Sequence, residues 1–316
     1  MAEKFMEIDV MTMEVRKYYP DEVPAILQLL RKCFPEAWGA ILDAGRKELS
    51  YLSESTIGLM DGRLVGNCGM LKIPVELDGQ TVVVAGIGSV AVDPDYRGQG
   101  IAVQMLRGVL ARMSDEHIFL SPLFTDKPGV YESLGWTVQP LHPTHMVSGT
   151  VADKDDGVAT IVGEPSPELF AAVKSLYRQS FRFNGKVIRT DEYWQQRVLD
   201  NMGGKAKWLL HIAGGTVDAY GLMASDGAGR FFLCEAYSRA DTPDRYAAIL
   251  AAALKAGQGR LTVALPATHP FFTLIADRRL TVSPGNDVYG EVLMLNNRTP
   301  QSYAVSSFYW PYADKF

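Results

Sequence analysis

The pattern of apolar and polar positions divides the chain into strand-like and helix-like stretches. Residues 12–18 (TMEVRKY) alternate with the period of a half-buried strand. Asp21 and Glu22 then open a helical pattern whose apolar positions, Val23, Ile26, Leu29 and Leu30, form one stripe. Residues 36–50 read as loop and further helix. Turn signals at Asp61-Gly62 and Asp78-Gly79 separate three antiparallel strands, predicted over 55–60, 64–74 and 81–92. A helix is predicted from Gly100 to Met113, with Val103, Leu106, Val109 and Leu110 on one face. A strand over 117–124, a short helix near 128–134 and a last strand after Gly135-Trp136 complete this half.

Residues 150–157 (TVADKDDG) are polar, lack apolar spacing and read as a domain boundary. Beyond them the order recurs. A strand near 158–162 precedes helices over 166–180, with Ser166 as N-cap, and 190–200. Strands near 207–213, 217–224 and 230–238 lead to an alanine-rich helix over 243–256, a strand over 260–265 and a helix over 269–276. Aligning 233–254 with 87–106 puts strand, turn and helix in step, as in a duplicated unit whose second copy has lost its glycines. Strands precede and follow one central helix, so each sheet is mixed rather than doubly wound. The expected fold class is α/β (α+β): two tandem domains, each a mixed, mostly antiparallel sheet flanked by helices. The expected bounds are 1–150 and 157–297, with 298–316 as a tail.

Composition narrows the function classes. At 316 residues and 47% hydrophobic content, the chain can bury the cores of two ordinary domains. Its net charge of −5 leaves no dense basic face, which argues against a nucleic-acid or anionic-membrane partner. Cys33, Cys68 and Cys234 stand far apart, outside any CxxC or Cys/His spacing, so neither a disulfide framework nor a metal is expected. The N-terminus alternates charge with hydrophobe and no apolar run reaches membrane-spanning length, so the expected location is cytoplasmic. Homo-oligomerisation stays open.

The chemistry concentrates between Ser89 and Ala102. An apolar strand ends at Asp93-Pro94 and a helix begins a few residues later, with Arg97, Gly98, Gln99, Gly100, Ile101 and the small Ala102 between them. Glycines let backbone approach a ligand, and a helix start leaves N–H groups unpaired at the positive end of its dipole. A diphosphate satisfies those groups, and Arg97 adds a fork of donors. No Gly-Lys-Ser/Thr follows, which excludes a P-loop. Three antiparallel strands precede the turn, which counts against a dinucleotide fingerprint.

Arg-x-x-Gly-x-Ala at 97, 100 and 102, after Val90-Ala91-Val92-Asp93-Pro94, resembles the acetyl-CoA signature of the GCN5-related N-acetyltransferase (GNAT) superfamily. Tyr131-Glu132-Ser133-Leu134-Gly135-Trp136 is similar to the run that closes those domains, and the likeness in element order extends over residues 12–148. An active first domain followed by a degenerate second one is similar to the Eis-like branch. Mycothiol synthase, also tandem, would carry its working motif in the second half. The third, sterol-carrier-like domain of Eis-like enzymes has no counterpart in residues 298–316.

The resemblance implies acetyl-CoA as co-substrate and a primary amine as acceptor: an aminoglycoside-like amine, an amino sugar or a polyamine. A protein lysine, a longer acyl donor, or a CoA-binding regulator without catalysis are the alternatives. It further implies that Val90, Ala91 and Val92 offer backbone groups to the thioester and pantetheine arm, and that residues 97–102 hold the diphosphate. Phe124, Thr125 and Asp126 would end the strand along which pantetheine passes, and Tyr131 would be general acid. The base stays open. Asp126 and Glu36 are candidates by position, also toward substrate, and His117, His142 and His145 are others. Four aromatics between Ser307 and Phe316 predict a docked tail. Either the Phe316 carboxylate enters the site as base, as in Eis-like enzymes, or the aromatics cap the second domain's core. Glu235 and Asp191 are candidates to line a substrate pocket between domains, with solvated or N-capping roles suiting both better, and no acyl-CoA is expected in the second half.

Overall fold

The computed structural model describes residues 13–36, 38, 54–139, 144–149, 158–180, 182–199, 206–225, 231–239, 246–266, 268–277, 280–285, 291–299, 308–310 and 314. In the first half, β1 (Met13–Lys17), β2 (Thr56–Met60), β3 (Arg63–Leu77) and β4 (Gln80–Val92) form an antiparallel run. Both Asp-Gly turns carry positive φ, at Asp61-Gly62 and Asp78-Gly79, which is the twist a two-residue hairpin needs. Helix α1 (Val23–Cys33) lies against one face of this run and α2 (Ile101–Asp115) against the other. The stripe predicted for α1 is buried: Ile26, Leu29 and Leu30 pack with Trp38, Ile57, Leu59 and Ala91. On the opposite face, Met105, Leu106, Val109 and Leu110 pack onto Val65, Met70 and Ile87. β5 (Leu120–Thr125), the short helix α3 (Gly129–Glu132) and β6 (Trp136–Val138) follow.

The second half comprises β8 (Val158–Val162), α4 (Pro167–Gln179), β9 (Lys207–Ala213), β10 (Thr216–Ser225), β11 (Phe231–Ser238), α6 (Ala247–Ala256), β12 (Arg260–Val263) and α7 (Pro270–Asp277). Ser166 caps α4 as expected, its hydroxyl accepting from the Leu169 N–H. The helix predicted over 190–200 is a single α-turn, α5 (Asp191–Tyr193), that widens into a π-turn over Trp194–Leu199.

Two strands cross the expected boundary. β7 (Thr144–Ser148) lies in the second sheet, between β12 and β13 (Thr281–Gly285). β14 (Val292–Asn297) lies in the first, between β5 and β6. The first sheet therefore runs β1-β2-β3-β4-β5-β14-β6 and the second β8-β9-β10-β11-β12-β7-β13. The orders match position for position, and in each sheet the fourth and fifth strands form the parallel pair. The two sheets are copies of one plan that have exchanged one strand each. A cut between 150 and 157 therefore leaves each sheet short of a strand, a pairing that local sequence pattern does not express.

The tail is buried where it is described. Phe308 and Trp310 pack against Ile73, Val75, Leu77, Leu293 and Leu295, which belong to the first sheet. Val187 and Tyr193 of the second half share that cluster, so these two aromatics do not cap the second domain's core alone. Tyr309 bridges to the second half, its hydroxyl donating to the Ala264 carbonyl at 2.7 Å. Among the described residues no helix is long and apolar enough to cross a membrane.

Candidate functional site

The site starts from a break between two strands. β4 and β5 pair in parallel only at Ile87↔Leu123. Beyond that point no pairing joins Gly88 to Val92 with Phe124 to Thr125 among the described residues, and this interruption of the ladder is the wedge considered below. On the far side of β4 the ladder to β3 carries a bulge. Asn67 pairs with Ala91 and Gly69 with Gly88, so Cys68 faces two residues, Ser89 and Val90. Ser89 takes φ +52°, and Ser89 and Val90 are partly open.

The loop after β4 is held rigidly at its start. Asp93 is buried, accepts from the Asp95 N–H at 3.1 Å and receives Lys32 Nζ of α1 at 2.6 Å. The Lys32 ammonium holds the Asp93 carboxyl below its ordinary range. Arg97 folds back, its Nε donating to the Val92 carbonyl at 3.2 Å, and the Cys33 thiol donates to the same oxygen at 3.4 Å. Burial pushes the Cys33 thiol up. Gly98 and Gly100 take φ +80° and +75° with nothing within 4 Å of a would-be Cβ, so backbone conformation rather than crowding requires glycine there. Arg97 to Gly100 are exposed, and the first turn of α2 begins at Ile101 and Ala102 with N–H groups free of intrahelical acceptors.

Tyr131 stands on α3 beside the wedge, 8% exposed. Its ring meets Trp136 edge-on at 6.1 Å, and Trp136 is itself pinned by its indole N–H donating to the Ser121 carbonyl at 3.0 Å. Burial drives the Tyr131 phenol well above its ordinary value of 10, with the Thr125 side chain partly offsetting this through a hydrogen bond. The phenol is therefore neutral, and a hydrogen-bond donor, at any working pH.

The other sequence candidates scatter. Asp126 is exposed and paired with Lys127, which holds its carboxyl below the usual range. Glu36 is exposed just beyond α1. His117 occupies a positive-φ turn after α2, and His145, on β7, packs on Phe272. Asp191 pairs with Lys174 at the surface. Glu235 is not solvated: it is fully buried, ion-paired with Arg189 and accepting from the Tyr220 hydroxyl at 2.9 Å. Arg189 also holds Asp314 at 2.7 Å, which ties the tail to the second half. Phe316 and His142 lie outside the described residues.

Lys32, Cys33 and Asn67 border the site without belonging to the motif. Lys32 and Cys33 sit at the end of an ordinary amphipathic helix, so no sequence signal marks them. Asn67 had a faint one: a polar, strand-averse residue inside the apolar run LVGNCGML.

Residues 14–139 match the family described as an acetyltransferase (GNAT) domain. The uncharacterised N-acetyltransferase YhbS of Escherichia coli K12 is 28% identical over 134 residues, covering 41% of this chain and 77% of its own. A GCN5-related N-acetyltransferase from Kribbella flavida superposes with a TM-score of 0.65 at 18% identity, covering 90% of this chain and 71% of that one. Eis1 from Mycobacterium abscessus does so at 0.64 and 16%, covering 89% and 73%. The superpositions establish the tandem fold.

Proposed function

We propose, from the premise that residues 14–139 are an acetyltransferase (GNAT) domain, that this protein moves an acetyl group from acetyl-CoA to a primary amine of a small molecule. An aminoglycoside-like amine, an amino sugar or a polyamine is the acceptor class. The observation that carries the reading is the wedge between β4 and β5, with the glycine loop at its mouth and Tyr131 at its side.

The residues fit the donor. N–H groups at the start of α2, joined by Arg97 released from Val92, suit a diphosphate. Val90, Ala91 and Val92 line one side of the wedge and Phe124 and Thr125 the other, offering strand-like partners to an amide-bearing arm. The Val90 N–H serves as a fixed dipole for the thioester oxygen as charge develops there. The amine nitrogen forms a bond to the thioester carbon, the C–S bond breaks, and Tyr131 gives a proton to the departing sulfur. The amine must shed its own proton. Asp126 is a poor base because Lys127 holds it ionised, and it suits binding a cation, as does Glu36. Of the other candidates, the buried tail favours the Phe316 carboxylate. Leu293 and Leu295 face the tail while Met294 packs in the core that holds Tyr131, so tail and acid lie on opposite faces of the sheet. An acceptor entering from the face of Phe308 and Trp310 would have the acid across the wedge; the proposed base, Phe316, lies outside the described residues.

Thiol release from acetyl-CoA against a panel of amines tests the reading, with Tyr131→Phe and a variant lacking Phe316 beside wild type. Loss of Tyr131 is expected to lower kcat about 10²-fold or more while CoA still binds. Tight acetyl-CoA binding with no turnover on any amine would replace this reading with a CoA-binding regulator.

A further inference from the structure

Asn67 has no part in the chemistry above, yet its position is costly. It is fully buried in the middle of β3, where a polar group without partners is unfavourable. Across the strands its neighbours are Ile57 and Ala91, which α1 covers with Ile26, Leu29 and Leu30. None of these is charged. Its Nδ2 donates to the Ser89 carbonyl at 2.9 Å, while its Oδ1 has no hydrogen-bond partner among the described residues. The amide is thus kept for a single bond to the bulge.

That bond fixes more than one atom. The Ser89 carbonyl and the Val90 N–H belong to the same planar peptide and point in opposite directions. Asn67 draws the carbonyl toward β3, so the N–H must face away from β3, toward β5 and into the wedge. A bulge at φ +52° is not held by a regular ladder, and this peptide could otherwise rotate.

We infer that Asn67 is a positioning residue for acyl transfer: its amide locks the Ser89–Val90 peptide so that the Val90 N–H faces the thioester oxygen. The inference rests on the acetyltransferase reading. Asn67 touches neither substrate, so it acts on the rate of the chemical step rather than on the hold on CoA.

Asn67→Leu and Asn67→Asp separate this from a packing role. Both are expected to bind CoA as wild type does, and Asn67→Leu to lose about 10²-fold in kcat, the scale of one misdirected oxyanion donor. In Asn67→Asp the carboxylate cannot donate, but its protonated form can, so its rate relative to wild type rises as pH falls. A wild-type kcat in Asn67→Leu overturns the inference, as does a pH-independent ratio in Asn67→Asp. Parallel loss of CoA binding and kcat in both variants also overturns it, because that marks collapse of the sheet. Failure of the underlying reading looks different: wild type itself would transfer no acetyl group.

Discussion

At the scale of single residues, buried polar groups are what the fold treats with most care. His269 is fully enclosed, its Nε2–H donating to the Ala236 carbonyl at 2.8 Å and its Nδ1 accepting from the Phe271 N–H at 3.1 Å. Both nitrogens are committed as neutral imidazole, and burial lowers the pKa to about 3. Because the folded value lies below the unfolded value of 6.5, the stabilisation is present above pH 6.5 and drains away as pH falls toward 3. The melting temperature should drop across that window, with a loss on the order of 5 kcal/mol, and His269→Gln should flatten it. An unchanged pH profile in the variant would remove His269 as the cause. Lys32 is expected to act on binding instead. Its bond to Asp93 sets the start of the loop proposed to hold the diphosphate, so Lys32→Met should raise KM for acetyl-CoA several-fold with little change in kcat. Equal losses in both parameters would mean that the loop matters to the chemical step.

At the scale of elements, the segment 184–188 joins the two halves. The Gly185 N–H donates to the Glu76 carbonyl and the Ile188 N–H to the Pro74 carbonyl, so this stretch runs along the edge of β3. The tail then lies on it, the Tyr309 N–H donating to the Asn184 carbonyl at 2.8 Å. A Cβ on Gly185 would meet the Tyr309 oxygen at 2.0 Å, at a φ of +99° that a side chain resists. Gly185→Ala should therefore release the tail and cost at least about 2 kcal/mol. Red-shifted tryptophan fluorescence, from Trp310 leaving its cluster, together with a lower melting temperature would register it. A variant that melts and fluoresces like wild type would show that the contact between Gly185 and Tyr309 does not hold the tail. Local signals had predicted most elements here. The hairpin turns followed from Asp-Gly pairs, and α1 and α4 from stripe and cap, because those preferences act within a few residues. β13 and β14 escaped notice, since each is short and defined by its partner rather than by alternation.

At the scale of the whole molecule, the strand exchange makes the halves interdependent. Among the described residues, β6 pairs with β14 alone and β13 with β7 alone. Residues 1–157 expressed alone should therefore fail to form a stable sheet, as should 158–316, because each leaves an open edge where a central strand belongs. Co-expressed halves should co-purify and recover the circular dichroism of the intact chain. An independently folded, CoA-binding 1–157 fragment would refute this interdependence. The second half then has a physical reason to persist without a glycine loop: it supplies β14 to the sheet that carries the proposed site and anchors the tail through Arg189.

The sequence by itself determined the elements with strong local codes, the tandem repetition, and the loop from Arg97 to Ala102, because dihedral preferences and periodicity are written residue by residue. Tertiary structure alone decided which sheet received β7 and β14, how the Ser89–Val90 peptide is turned, and that Arg189, Glu235 and Asp314 share one buried site. Each of those depends on groups brought together from distant parts of the chain or across a strand pair. Local pattern restricts what such groups can do, but only packing selects their partners.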